Sequence, residues 1–179
     1  ISIDPVTAEF QSELATDWKI SKDGKSVTFT LRKDVKFHTT SYFPPSRDFN
    51  ADDVIFTFSR LFDVYNPYHF VGDADYPYFQ SVGIDQLIRK IVRVSDYQVR
   101  FELFNPESSF LANMATDFAV VLSEEYAMKL KKNNQKNLFD QYPIGTGPYI
   151  YKEYRRDHLV RFYRNPLYWK HDVALEQLV

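Results

Sequence analysis

Between Asp23 and Leu61 the hydrophobic period of the chain changes once, and this change constrains what the segment can become. From Val27 to Arg32, Val27, Phe29 and Leu31 alternate with Thr28, Thr30 and Arg32, the period-two pattern of a strand with one buried face. Asp23-Gly24 before it is hairpin-turn chemistry. A proline-containing loop follows, and the period then becomes helical, with Val54, Phe58, Leu61 and Phe62 on one face. Asn50 suits an N-cap, and Asp52 and Asp53 fall in the first turn, where the helix dipole favours negative charge. A strand, a loop and a capped helix fit many folds, so the rest of the chain must narrow the choice.

Lys90–Val94 and Gln98–Leu103 predict a hairpin across Ser95-Asp96-Tyr97. Val99, Phe101 and Leu103 lie on one face, with Gln98, Arg100 and Glu102 on the other. Asn105-Pro106 predicts the start of a helix carrying Phe110, Leu111 and Met114. A second helix is expected from Ser123, with Glu124 and Glu125 in its first turn and Lys129, Lys131 and Lys132 at its end. Tyr149–Tyr154 and Leu159–Arg164 read as two strands joined near Arg156-Asp157.

A chain of 179 residues is long enough to bury roughly 70 % of its unfolded surface as one domain. Its net charge of −2 and pI near 6.1 give no global field towards nucleic acid or anionic membrane. No run is long enough to span a bilayer. Ile1-Ser-Ile-Asp-Pro has neither the basic start nor the apolar stretch of a signal peptide. With no cysteine, disulfides, iron–sulfur clusters and thiolate metal sites are excluded. The aromatic share of 17 % is high; a β-rich core stiffened by ring packing explains it more simply than a binding cavity.

Four constellations invite a chemical reading. His69, Asp73 and Asp75 could hold a divalent metal and support a hydrolase, but their spacing matches no helix face or loop cage. Asp52-Asp53 are adjacent on a helix and do not face one another, so helix-start charge explains them better than a shared-proton dyad. Gly145-Thr146-Gly147 lacks the third glycine and the Lys-Ser/Thr of a phosphate loop, and with Pro148 reads as a rigid turn. Tyr151–Lys170 interleaves rings with Arg155, Arg156, Arg161 and Arg164. It could bind single-stranded nucleic acid, although two amphipathic strands are the preferred reading. His158 and His171 read as surface or capping groups.

The wording of the chain narrows the fold. Leu14-Ala15-Thr16-Asp17-Trp18, Leu31-Arg32-Lys33-Asp34, Lys36-Phe37-His38 and Ala51-Asp52-Asp53-Val54 stand in the order and spacing found in extracytoplasmic solute-binding proteins of the dipeptide and oligopeptide class of ABC importers. Asn66-Pro67-Tyr68-His69, Ser123-Glu-Glu-Tyr-Ala127, Gly145-Thr-Gly-Pro-Tyr149 and Arg164-Asn-Pro-Leu-Tyr-Trp169 continue the resemblance over nearly the whole sequence. Among the branches, the chain most resembles the dipeptide-binding proteins and above all the binding subunit of the Sap antimicrobial-peptide uptake system. Tyr142–Tyr149, Glu153-Tyr-Arg155 and the long Thr39–Arg47 loop, which replaces a short Asp-Gly turn, place it there.

The resemblance implies a mixed α/β (α+β) fold of the type II periplasmic-binding-protein kind, a fragment with a mixed sheet and flanking helices. It implies a small variable lobe over residues 1–122 and part of the first large lobe over 123–179, with both ends cut. It implies no catalysis and no cofactor. The partners would be a peptide and an ABC permease of the inner membrane, with the protein a periplasmic monomer. Cationic antimicrobial peptides are cargo in the Sap branch, and dipeptide or haem the alternatives. Tyr68 is the first expected ligand contact, because a Pro-Tyr step at this place in oligopeptide-binding relatives puts its ring on the cavity. His69, Tyr76 and Phe79 are weaker candidates on the same loop. The groups that grip the peptide's termini would lie outside this sequence.

Overall fold

The computed structural model describes residues 1–72 and 76–179. They form two compact units, one of residues 1–33 and 50–120, the other of residues 34–49 and 121–179. Every strand pairing among the described residues is antiparallel.

The first unit begins with a short pair, β1 (Ser2–Ile3) and β2 (Phe10–Gln11). Its main sheet has β3 (Ala15–Ile20), β4 (Ser26–Leu31), β5 (Ile88–Ser95) and β6 (Gln98–Leu103) in the order β3-β4-β6-β5. The expected hairpins form. Gly24 makes the first turn with φ +68°, a left-handed conformation that glycine adopts without strain. The alternation along β4 and β6 is realised residue by residue: Val27, Phe29, Leu31, Val99, Phe101 and Leu103 are buried, and their neighbours are half-exposed. The register sets Phe101 opposite Val27 and Ile91. Its ring meets Phe29 at 5.7 Å, Phe58 at 5.2 Å and Phe110 at 5.6 Å between centroids, distances of favourable edge-on or tilted packing.

Helix α1 (Ala51–Phe62) lies across this core through Val54 and Phe58. Its N-terminus is a full capping box. The Asn50 side chain accepts from Asp52 N–H, and Asp53 Oδ2 accepts from Asn50 N–H, so two otherwise orphaned donors are satisfied. Short helices α2 (Pro77–Ser81) and α3 (Ile84–Leu87) precede β5. The helix expected from Asn105-Pro106 is corrected. Only α4 (Phe110–Asn113) forms there, because Glu107 turns back to take the N–H and hydroxyl of Ser109. Phe110, Leu111 and Met114 are nonetheless buried.

In the second unit, α5 (Glu124–Lys132) starts at Ser123, whose hydroxyl accepts from Tyr126 N–H. β7 (Tyr149–Arg155), β8 (Leu159–Arg164) and β9 (Gln177–Leu178) form a sheet in that order. The residues of 34–49 adopt no helix or strand, yet they supply much of the core: Val35, Phe37, Phe43 and Phe49 are buried with Tyr126, Leu130, Phe139 and Ile144. The Phe43 ring sits 4.9 Å from Tyr126, which stacks on Phe139 at 5.8 Å. Ser46 and Arg47 bond Glu125 and Glu124 of α5. The rings of Tyr151–Lys170 are only partly covered: Tyr151 packs on Phe162 at 6.0 Å, while Tyr154 remains exposed. His158 and His171 are exposed.

Candidate functional site

The loop after α1 is folded by its own polar side chains. Asp63 Oδ1 accepts from Tyr65 N–H, and Asn66 Oδ1 from Tyr68 N–H, turns that Asp and Asn favour by bonding their own backbone. Arg60, in the last turn of α1, reaches back into this loop. Its Nε donates to the Tyr68 carbonyl at 3.1 Å and its Nη2 to the Val71 carbonyl at 3.2 Å. Its guanidinium lies 5.8 Å from the Tyr76 ring centroid, a cation–π distance.

These contacts bring Tyr68, His69 and Tyr76 together. The Tyr68 ring is 1 % exposed and packs edge-on against Phe56 at 5.5 Å. His69 is half-buried, and its Nδ1–H donates to the Arg60 carbonyl at 2.7 Å. A carbonyl can only accept, so the bond places a proton on Nδ1. The Tyr76 hydroxyl donates to the His69 carbonyl at 2.9 Å, with the two rings 5.7 Å apart. Phe79 stands apart on α2, 1 % exposed, edge-on to Phe118 at 5.8 Å. Of the four expected contacts, Tyr68 and Phe79 are core rings here; His69 and Tyr76 reach the surface.

Arg60 was not singled out by the sequence reading. The signal was a polar stripe at helical spacing, Asp53, Thr57 and Arg60, all three buried. Such a stripe inside an apolar helix face marks groups with internal partners. Of the suspected metal cluster, Asp73 and Asp75 lie outside the described residues. Among the described residues no three or more His, Cys, Asp or Glu side chains gather to hold a metal. No helix among them is long and apolar enough to cross a membrane.

In the second unit, Gly145-Thr146-Gly147 is clamped from two sides. His38 N–H donates to the Gly145 carbonyl at 2.8 Å, and Gly145 N–H donates to His38 Nδ1 at 3.3 Å. His38 Nε2–H donates to the Gly147 carbonyl at 2.9 Å. That carbonyl also accepts from Asn165 Nδ2 at 2.9 Å, and Thr146 carbonyl accepts from Trp169 Nε1–H at 3.1 Å. The turn is therefore structural: its carbonyls point at protein donors, not at a phosphate. A concavity of about 320 Å³ on the same unit is lined by Tyr42, Tyr126, Lys129, Leu138 and Tyr142 among others. None of the four expected contacts lines it.

Comparison with known proteins places this geometry in a family. Residues 9–179 match the model of bacterial extracellular solute-binding proteins, family 5 Middle. The chain is 43 % identical over 175 residues to di/tripeptide-binding protein 2 of Pseudomonas aeruginosa, covering 98 % of this chain and 33 % of the relative. It is 39 % identical over 179 residues to the probable ABC transporter periplasmic-binding protein SapA of Escherichia coli, covering all of this chain and 33 % of that one. The crystal structure of a dipeptide-binding protein from Pseudoalteromonas sp. SM9913 in complex with Met-Leu superposes with a TM-score of 0.96 at 90 % identity, over 98 % of this chain and 35 % of that one. The chain thus spans about a third of the length of the relatives it matches. It carries the mixed α/β fold of periplasmic binding proteins of this type, and it belongs to the bacterial extracellular solute-binding proteins, family 5.

Proposed function

We propose that this chain is part of the binding subunit of an ABC importer that captures short peptides in the periplasm and presents them to an inner-membrane permease. The observation that carries the reading is the 90 % identity, over nearly the whole chain, to a dipeptide-binding protein solved with Met-Leu. The protein performs no chemistry in this reading. Ligand binding shifts an equilibrium between open and closed arrangements of a monomer, and the closed one engages the permease. Residues 1–122 serve as the smaller, variable lobe and residues 123–179 as part of the first large lobe, apart from residues 34–49, which belong to the second unit. What supports this division is that each unit has its own buried aromatic core.

Within the first unit Tyr68, His69 and Tyr76, with Phe79 on α2, are the proposed ligand-side residues. His69 and Tyr76 reach the surface and would meet the ligand, and the buried Tyr68 and Phe79 rings hold the loop in place. Mass spectrometry of material co-purifying with the full-length protein, followed by calorimetric titration with Met-Leu, tests the reading. Dipeptides in the eluate and stoichiometric Met-Leu binding are expected. Haem or long cationic peptides in their place would overturn the short-peptide cargo, and hydrolysis of the peptide with stoichiometric metal would overturn the binding function itself.

A further inference from the structure

We propose that His38 is an acid-sensitive latch, whose protonation frees the Gly145 N–H of the Gly145–Gly147 turn while His38 N–H keeps the Gly145 carbonyl and Asn165 keeps the Gly147 carbonyl. His38, Gly145, Gly147 and Asn165 all belong to the second unit, and none of their bonds depends on which ligand the protein carries. His38 is 6 % exposed, and both its ring nitrogens are committed to main-chain groups of opposite character. Nδ1 accepts from Gly145 N–H and Nε2–H donates to the Gly147 carbonyl. Only the neutral ring with its proton on Nε2 satisfies both.

Adding a proton to Nδ1 converts that acceptor into a donor aimed at the Gly145 N–H. It also places a cation where water is largely excluded. Among the described residues no carboxylate bonds the ring. On its own segment the charged groups are Asp34, which is exposed, Lys36 and Asp48, which pair with each other at 2.6 Å, and Arg47, which pairs with Glu124. Glu125 of α5 is engaged by Ser46. Burial holds the Tyr42 hydroxyl above the usual tyrosine value, so it is neutral here. Near the residues that hold the far side of the turn, Arg164 pairs with Glu176, and Lys170 and Asp172 bring one charge of each sign. Burial accordingly pushes the ring below the ordinary histidine value of 6.5, outweighing the raising effect of the Gly147 carbonyl.

The sign follows from linkage. A ring whose folded pKa is depressed contributes stability that is complete above the unfolded value near 6.5. As pH falls below that value the unfolded chain takes up the proton first, and the stability is lost progressively down through the folded value. Asn165 Nδ2 still donates to the Gly147 carbonyl in acid, and His38 N–H to the Gly145 carbonyl, so the loss is confined to the Gly145 N–H.

The test is amide exchange on the full-length protein labelled with 15N-glycine, with His38 titrated in parallel through exchange of its Cε1 hydrogen. His38 should titrate below the ordinary histidine value of 6.5. The protection of the Gly145 amide should be lost as the pH falls, with the midpoint of His38. In His38→Gln, whose amide still donates to the Gly147 carbonyl but carries no titrating group, that pH-dependent fall should vanish. Titration of His38 at or above 6.5 overturns the proposal, as does Gly145 protection that stays constant while His38 protonates. Both wild-type measurements stand even if the variant fails to fold.

Discussion

In the first unit the rings of Phe29, Phe58, Phe101 and Phe110 meet because strands and a helix of regular period deliver them to one place. In the second, Phe37, Phe43 and Phe49 reach an equally buried position from a segment with no regular structure. The two cores differ in what positions the side chain. A strand fixes side-chain direction through ladder hydrogen bonds that any sequence can make. The 34–49 segment has no ladder. Its course is set by isolated main-chain bonds, such as Phe49 N–H to the Val35 carbonyl and His38 N–H to the Gly145 carbonyl, both at 2.8 to 2.9 Å. Side-chain ties to α5, through Ser46 and Arg47, complete it. Irregular backbone can therefore carry a core provided each polar main-chain group finds a particular partner.

The sharpest way to break this comparison is to cut the central ring of each core. Phe101→Ala should cost about 3–5 kcal/mol, the usual range for a buried phenylalanine, and Phe43→Ala about as much. Urea unfolding gives the magnitudes, and hydrogen exchange read by mass spectrometry gives the location. Protection should drop in β4 and β6 for Phe101→Ala, and in 34–49 and α5 for Phe43→Ala. A cost below about 1 kcal/mol for Phe43→Ala, the size of an ordinary surface or mild substitution, would mean that the segment is draped over the unit and that the likeness between the cores is false.

The same contrast explains what could be read from the sequence. β4, β6 and α1 were legible because their periods of two and 3.6 are imposed by local geometry. The caps at Asn50 and Ser123 were legible because capping uses a short list of side chains in fixed places. The contribution of 34–49 was not, since Val35, Phe37, Phe43 and Phe49 follow no period and their partners lie far along the chain. The helix expected after Pro106 failed because Glu107 offered Ser109 a local turn, a competition that propensity does not weigh. At the candidate site, Tyr68 was found by resemblance, but its inward packing on Phe56 and the grip of Arg60 depend on where α1 ends. Neither was visible in the residue order.

A smaller effect is expected at the helix starts. Asn50 satisfies Asp52 N–H and lets Asp53 satisfy its own N–H, whereas Ser123 accepts one bond, from Tyr126 N–H. Asn50→Ala should cost about 1–2 kcal/mol and Ser123→Ala about 1 kcal/mol, within the measured range for lost N-caps. The urea midpoints of the two variants check this. If Ser123→Ala cost the more, the second unit would depend on its helix start more than the first does. The hydrogen-bonded loop would then be the consequence of α5 and not its equal.

The smallest effect concerns surface charge, and it separates two explanations of the 34–49 segment. Lys36 and Asp48 pair at 2.6 Å near the two ends of that segment, as Arg89 and Glu102 pair at 2.6 Å across β5 and β6. Each pair keeps one member more than half exposed, so solvent screens it and its worth is about 0–1 kcal/mol. The ladder fixes β5 and β6 with or without their pair. If buried rings and main-chain bonds likewise fix 34–49, Asp48→Asn and Arg89→Gln should each change stability by less than about 0.5 kcal/mol, and less still in high salt. If instead the Lys36–Asp48 pair closes the segment, Asp48→Asn should cost clearly more than Arg89→Gln and its effect should fade as salt is raised. A salt titration of both variants in urea separates the two, because ring burial does not weaken with ionic strength whereas an ion-pair clasp does.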